Sequence, residues 1–335
     1  MAKVIDVHTT FYPKAWIDYL ETRTESPRVK RTGATSFIFY VEDTPTSHVD
    51  KPGHYDVAAR IRDMDAAGIN TQILGLSIPS VEVIEAHEGI AWAKRINDYF
   101  AELCQKYPGR FYFNATLPYQ DVDAAVKELE RAYKDLGAKG ILLFSNLNGK
   151  CVASPEFYPV YSMAEKYGLP VFLHPASPLT REIMRQHKLS VALYGYIFDT
   201  TIAMMSLIWQ GVLEKFPKLI FVHSHLGGVV PYSVGRVETC WSSFSEEMGL
   251  KLPKSPSEYY KSQVYVDTIS YFVPAMKCCL EFMGADHICL GTDYAHRIGN
   301  LEEAIDWVKK FGLSEKDTNK ILGGNAARLY KLDRK

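Results

Sequence analysis

The stretch "IDVHTTFYP", residues 5–13, decides how the chain begins its fold: an apolar run ends in a histidine, and a threonine follows two residues later. Side chains alternate along a strand, so His8 and Thr10 point to the same side. His8 is either a metal ligand or a strand-end histidine that hydrogen-bonds a loop. This stretch alone leaves both interpretations open, and the rest of the chain has to decide between them.

Short apolar runs rich in β-branched residues recur along the chain and alternate with amphipathic helical patterns. Such runs are typical of parallel strands that are buried on both faces. The predicted strands are 3–8, 70–77, 110–117, 139–145, 170–174, 218–224, 263–268 and 287–293. The clearest predicted helices are 56–68, 121–140, 154–170 and 200–218. Eight strands that alternate with helices predict an α/β protein with the architecture of a (β/α)8 TIM barrel.

The segment 20–55 is the longest piece outside this alternation. A long insertion after a barrel strand is typical of an active-site lid. The sequence shows neither an internal repeat nor a low-complexity tract. We therefore expect one barrel domain over residues 1–335, with a lid-like insertion at about 20–55 after the first strand.

Composition and charge indicate which kinds of binding partner are disfavoured. Lys and Arg number 38 and Asp and Glu 39, a formal net charge of −1, and no basic stripe stands out, which disfavours nucleic acid and membrane surfaces. The six cysteines form no CxxC pair, as expected for reduced thiols of a cytosolic protein. No signal-peptide pattern precedes the first strand, and no apolar run approaches the roughly 18 residues of a membrane span. We expect a cytoplasmic protein that acts on a small molecule.

Polar side chains cluster at the carboxyl ends of the predicted strands, which is where a barrel builds its site. These strand-end residues are His8, Ser77, His174, His223, His225, Asp293 and, just beyond, His296. Imidazole and carboxylate at this density suit a divalent ion such as Zn or Mn, with positions left open for water or substrate. The pattern therefore predicts a metal site. Among the other histidines, only His54, inside the insertion, is a weaker candidate for substrate contact.

Four of these strand ends resemble one known family. The motifs "DVHTTFYP" (6–13), "FLHP" (172–175), "HSHLGG" (223–228) and "GTDYAH" (291–296) are similar to the amidohydrolase superfamily. They look most like its branch of 2-amino-3-carboxymuconate-6-semialdehyde decarboxylase and related aromatic acid decarboxylases, as do residues 199–236 and 324–332. The resemblance covers nearly the whole chain. It implies a metal-dependent, non-oxidative decarboxylase of a small aromatic or unsaturated carboxylic acid.

The resemblance also implies roles for individual residues. It makes His8, His174 and Asp293 the ligands of one divalent ion, Zn or Mn. It makes His225 the catalytic histidine, paired with Asp293, and leaves open which of the two holds the proton. It further implies that Arg236 meets a substrate carboxylate and can reach the neighbouring subunit's site, as in a homodimer.

Two positions depart from the family pattern. Thr10 stands where the family has the second histidine of a His-x-His pair, a change that argues against a hydrolase more than against a decarboxylase. By a loose alignment, Tyr40 stands where the semialdehyde decarboxylase has a substrate-gripping arginine, which argues against that specific activity. The candidate substrate-binding residues are Arg236, Ser77, His223, His296, Tyr40 and Thr10.

Two other functions stay open on the sequence. One is a hydrolase or hydratase on the same scaffold, in which Asp293 and His225 activate a metal-bound water. The other is a metal-free binding protein, which would follow if Thr10 abolished the metal site.

Overall fold

The structure, a computed structural model, describes residues 3–332. The strands are β1 (Ile5–Thr10), β2 (Arg28–Arg31), β3 (Phe37–Val41), β4 (Thr44–Val49), β5 (Thr71–Gly75), β6 (Phe111–Ala115), β7 (Gly140–Phe144), β8 (Asn146–Leu147), β9 (Lys150–Cys151), β10 (Val171–His174), β11 (Phe221–His223) and β12 (Val264–Val266). The helices are α1 (Lys14–Glu21), α2 (Val57–Ala67), α3 (Ala86–Lys106), α4 (Val122–Lys134), α5 (Tyr158–Tyr167), α6 (Arg181–Gln186), α7 (Gly195–Trp209), α8 (Val212–Lys215), α9 (Ser224–Gly227), α10 (Val230–Phe244), α11 (Pro256–Gln263), α12 (Val273–Met283), α13 (Ala304–Lys309), α14 (Glu315–Asn319) and α15 (Asn325–Leu329). Short helical turns cover Pro52–His54, Val81–Val83, Pro155–Phe157, Ala285–His287 and Lys320–Gly324.

Seven parallel strands form the main sheet, in the order β1-β5-β6-β7-β10-β11-β12. Every residue of β1, β5, β7 and β10 is buried, because helices cover the outer face and side chains fill the inner one. The nearly continuous apolar runs of the sequence therefore correspond to these strands. The sheet is parallel and curled, so the protein has the α/β architecture that we predicted.

The eighth predicted strand, 287–293, is an extended segment with isolated bridges rather than a regular strand. It joins the two edge strands of the sheet: the amide of Val7 in β1 donates to Leu290 O at 2.9 Å, and the amide of Cys289 donates to Val266 O of β12 at 2.8 Å. Asp293 interrupts the extended backbone with a φ of 56°. This connection between the first and last strands is consistent with the expected barrel.

The predicted helices form with adjusted ends. Helix α2 begins after Asp56, whose side chain accepts the amide of Ala59, and ends at Gly68 in the left-handed conformation. The helix predicted over 121–140 ends six residues earlier, at Lys134. The helix predicted over 200–218 is two helices, α7 and α8, because Gly211 between them has a φ of 77°.

The insertion after β1 contains an antiparallel sheet of three strands, β2, β3 and β4. It packs against the rest of the protein through Phe39, whose ring lies 4.7 Å from that of Tyr12 between centroids. The hydroxyl of Tyr196 in α7 donates to Thr46 O of β4 at 2.7 Å. These contacts hold the insertion beside the carboxyl ends of the main strands.

Within residues 3–332, the helices are all too short or too polar to cross a membrane. The cytoplasmic location expected from the sequence stays a prediction.

Candidate metal and active site

Four of the predicted strand-end residues come together at the carboxyl ends of the main sheet. The ring of His8 lies 5.2 Å from that of His174 and 5.0 Å from that of His225, measured between centroids. Its Nε2 is 3.6 Å from Oδ1 of Asp293. Ligand atoms of His8, His225 and Asp293 all lie within 4.8 Å of one another, so these side chains could hold a metal ion. The structure therefore adds His225, expected only as the catalytic histidine, to the potential ligands.

The imidazoles at this site are oriented by hydrogen bonds on their Nδ1 atoms. Nδ1 of His8 lies 2.7 Å from Oδ2 of Asp267, and Nδ1 of His174 lies 2.9 Å from Pro175 O. A proton on each Nδ1 leaves the lone pair on Nε2, which is the usual state of a ligating histidine. Nε2 of His8 is buried and has no hydrogen-bond partner in the described part of the chain. This buried and unsatisfied nitrogen fits a metal ligand.

The motif "HSHLGG" forms a left-handed turn that places His225 beside His8. His225 and Leu226 have φ values of 53° and 55°, which cost free energy for residues with a side chain. Asp267 stabilises the turn, because its carboxylate accepts the amides of both residues at 3.0 and 2.9 Å. A Cβ on Gly227 would come within 2.4 Å of Tyr260 Oη, so the turn requires glycine there. The motif thus encodes the position of a site residue.

Burial sets the charge states at the site. It lowers the pKa of His8 and of His225 to about 3, and that of His174 well below its usual range. These imidazoles are therefore neutral near pH 7, as a metal ligand must be. Burial also raises the pKa of Asp293 well above its usual range, and the nearby Asp267 adds to this effect. A bound cation would act in the opposite direction and favour the ionised carboxylate.

A cavity of about 280 Å³ opens onto these side chains. Its lining includes Ser77, His174, His225, Asp293 and His296, together with Thr46, Ser47 and His48 of the insertion. Nε2 of His296 lies 3.0 Å from Oγ1 of Thr10, so Thr10 contacts an imidazole of the cavity lining. Of the predicted substrate-binding residues, Ser77 and His296 line this cavity, and Thr10 contacts His296 without lining it.

The other three predicted substrate-binding residues lie outside the lining of this cavity. His223 is buried, and its Nδ1 lies 2.9 Å from Tyr260 Oη. Tyr40 lies on the face of β3 opposite Phe39, with the guanidinium of Arg28 4.6 Å from its ring centroid. Arg236 is exposed on α10. Their roles in substrate binding stay predictions.

Sequence reasoning missed Asp267, which contacts both His8 and the turn at His225. Its only signal was an aspartate at the end of the apolar strand "QVYVDT" (263–268).

Sequence reasoning also missed a buried polar network next to the site. Asp6 accepts the amide of His8 at 3.1 Å and the hydroxyl of Thr292 at 2.7 Å. The fully buried Arg60 donates to Gln72 Oε1 at 2.8 Å.

A curled parallel sheet whose strand ends gather imidazoles and a carboxylate defines a class of metal-dependent enzymes. The profile of the amidohydrolase family (Amidohydro_2) matches residues 5–332, and the chain belongs to this family. The resemblance seen in the four motifs is thereby confirmed.

The chain is similar to several named decarboxylases of this family. It is 29% identical to 2-amino-3-carboxymuconate-6-semialdehyde decarboxylase of Dictyostelium discoideum, over 98% of this chain and 92% of that protein. It is 33% identical to gamma-resorcylate decarboxylase of a Rhizobium species, over 82% and 86% of the two chains. A crystal structure of 5-carboxyvanillate decarboxylase from Novosphingobium aromaticivorans, complexed with manganese and 4-hydroxy-3-methoxy-5-nitrobenzoic acid, matches with a TM-score of 0.86 and 26% identity, over 98% of this chain and 96% of that one.

Proposed function

We propose that this protein is a metal-dependent, non-oxidative decarboxylase of a small aromatic carboxylic acid. The observation that carries the proposal is the group formed by His8, His225 and Asp293, whose potential ligand atoms lie within 4.8 Å of one another beside a cavity of about 280 Å³. The similarity to three named decarboxylases supports the same reaction class. Decarboxylation of this kind needs no organic cofactor.

The donor set fits one divalent ion, Zn or Mn. His8, His174 and Asp293 are the proposed ligands, with His225 close enough to join them. Imidazole nitrogens and a carboxylate suit both ions, and the buried Nε2 of His8 needs a partner. When bound, the ion supplies positive charge for the substrate carboxylate and an adjacent oxygen.

The protein's own residues deliver the proton. A proton adds to the ring carbon that carries the carboxylate, the bond from that carbon to the carboxylate breaks, its electron pair returns to the ring, and CO₂ leaves. Asp293 and His225 both line the cavity and have ligand atoms within 4.8 Å of each other, so we assign the proton transfer to them as a pair. Ser77 and His296 line the same cavity and orient the substrate. Burial raises the pKa of Asp293 well above its usual range, which favours its protonated form, and a bound cation would act in the opposite direction.

We extend the proposal to the architecture around the site. The segment that bonds to both β1 and β12 closes the sheet into a (β/α)8 barrel, and the chain forms one domain, the outermost residues of which lie outside the described range. The insertion at about 20–55 acts as a lid. Its residues Thr46, Ser47 and His48 lie in the cavity wall, which supports this role.

Isotope incorporation tests the reaction class. With metal-replete enzyme in D₂O, the product should carry one deuterium on the carbon that held the carboxylate, because a solvent-derived proton replaces CO₂. The substrates to screen are hydroxybenzoates, aminobenzoates, carboxylated pyrimidines and muconate semialdehydes, with CO₂ and ultraviolet absorbance as readouts and NMR to locate the deuterium. Product incubated in D₂O without enzyme gives the background exchange. Cleavage of esters, lactones or amides, with no decarboxylation in the screen, would replace this proposal with the hydrolase alternative.

We also propose that the protein is a homodimer in which Arg236 lies near the neighbouring site. Helix α10 supports this, because Tyr232, which is 88% exposed, lies four residues before Arg236 and thus on the same helical face. Other large apolar side chains are also exposed nearby in the chain, namely Phe244 and Met248. If these side chains form one patch, a second copy of the chain could cover it, as contiguous exposed apolar surface favours an interface.

Light scattering at micromolar concentration should therefore give the mass of a dimer. Tyr232→Glu should shift the protein toward monomer, because the interface would have to bury a charge. Tyr133→Glu is the control, since Tyr133 is an exposed tyrosine on α4, outside this surface. A fully active wild-type monomer would contradict the proposal.

A further inference from the structure

A second cavity, of about 230 Å³, lies next to the active-site cavity. Ile78 lines both cavities and forms part of the wall between them. The walls of the second cavity comprise Val41, Glu42, Ile78, Pro79, Glu82, Val83, Asn146, Asn148, Gly149, Ala176, Ser177, Leu179 and Arg181. None of the chemistry proposed above uses this space.

Glu82 is the unusual member of this lining. Glu82 is only 3% exposed, and its Oε2 is buried and has no hydrogen-bond partner among residues 3–332. The hydroxyl of Ser177, another residue of this lining, is likewise buried and has no hydrogen-bond partner among the described residues. Buried polar atoms usually have hydrogen-bond partners, so these two lining residues are the ones that a ligand in the cavity would hydrogen-bond.

The charges in the lining show which kind of ligand fits. Arg181 and Glu42 pair with each other, with Nη2 of the arginine 2.8 Å from both carboxylate oxygens, and so neutralise one another. The amide of Asn146 is also committed, since its Nδ2 donates to Asp199 at 2.8 Å and its Oδ1 accepts the amide of Gly149 at 3.0 Å. Among the described lining residues, Glu82 is therefore the acid that has no counter-ion.

A proton can neutralise Glu82 when the cavity is empty of ligand. Burial raises its pKa to about 7, although the Ser80 hydroxyl and its own backbone amide lower it. The group is therefore divided between its two forms near neutral pH, and a cationic ligand would favour the carboxylate.

We propose that this cavity is a binding site for a small organic ammonium ion, which donates to the carboxylate of Glu82 and the hydroxyl of Ser177 and packs its hydrocarbon part against Ile78 and Leu179. Because Glu42 is paired with Arg181 and the amide of Asn146 is committed, Glu82 offers the one free carboxylate of the described lining, which is too few anionic oxygen ligands for a metal cation. An ammonium group on a short apolar body matches both this acid and the apolar side chains of the lining, such as Ile78, Val83 and Leu179. This site is independent of the decarboxylase reaction.

Benzylamine and its neutral analogue benzyl alcohol are the probes that test this site, with binding followed by calorimetry on the metal-loaded protein. Benzylamine should bind saturably at millimolar concentration, and Glu82→Gln should weaken it at least about tenfold, the effect of losing one charge-assisted hydrogen bond. Benzyl alcohol should bind weakly to both proteins. Glu85→Gln is the matched control, because Glu85 lies three residues away and is exposed.

A second variant separates this cavity from the active site. Ser177→Leu fills the second cavity, and Ser177 does not line the first. It should weaken benzylamine binding at least as much as Glu82→Gln, while both variants keep the thermal transition of a folded protein. The proposal fails if wild-type protein shows no saturable binding, or if Glu82→Gln binds benzylamine as tightly as wild type does.

Discussion

Replacing His225 with asparagine is expected to lower kcat by about 10²–10⁴-fold, the usual weight of one positioned acid–base group. The variant keeps a polar side chain in the left-handed turn, where asparagine is tolerated, but loses the imidazole whose ring lies 5.0 Å from that of His8. Substrate should still bind, so KM should change far less than kcat. Steady-state kinetics on the best substrate of the screen provide the measurement.

The control for this experiment is His187→Asn, which changes an exposed histidine on the surface and should leave kcat intact. Asp293→Asn should be more damaging than His225→Asn, because it removes a ligand charge and a proton carrier together. If His225→Asn retained wild-type kcat, the assignment of proton transfer to the pair of His225 and Asp293 would be wrong.

The second large effect concerns the metal. Wild-type protein should hold about one divalent ion per chain, and His174→Ala should hold almost none after dialysis, because the three-ligand set loses one imidazole. The ring of His174 lies 5.2 Å from that of His8 and at the edge of a cavity, so its truncation should leave the folded structure largely intact. Elemental analysis measures the metal, and circular dichroism checks the fold.

His287→Ala is the matched control, since Nδ1 of His287 bonds Val264 O away from the cavity lining, and it should retain full metal content. A wild-type protein that takes up neither Zn nor Mn would contradict the metal site and favour the metal-free binding protein. Full metal content in His174→Ala would instead indicate that His225 is the third ligand, since its ring lies 5.0 Å from that of His8.

The parts of the site that follow strand ends could be predicted from the sequence. His8, His174 and Asp293 end apolar runs, and parallel strands of a curled sheet bring such ends to one place. The sequence also predicts His225 at this end of the sheet, but not the left-handed turn that orients it, because Asp267, 42 residues further along the chain, stabilises that turn. Local patterns do not report contacts over such separations.

The insertion marks a second limit of sequence reasoning. The alternation of β3 points Phe39 toward Tyr12 and leaves Tyr40 on the other face of the strand, beside Arg28, while a role of Tyr40 at the substrate stays a prediction. A shift of one residue in register reverses which side chains face inward, and no motif fixed the register here. The residues of the insertion that do line the cavity belong to β4 instead.

The bonds of Asp267 have a consequence for the order of assembly. This one carboxylate joins His8, 259 residues earlier in the chain, to the turn at His225. Asp267 follows β12, so the site geometry is complete only after β12 has joined β11 and the segment 287–293 in the sheet. A ligand that binds only the native state stabilises that state by mass action. The ion therefore stabilises the fully folded chain and adds little stability to partly folded chains. Uptake of the ion during refolding should therefore report the completion of the sheet and not an early folding event.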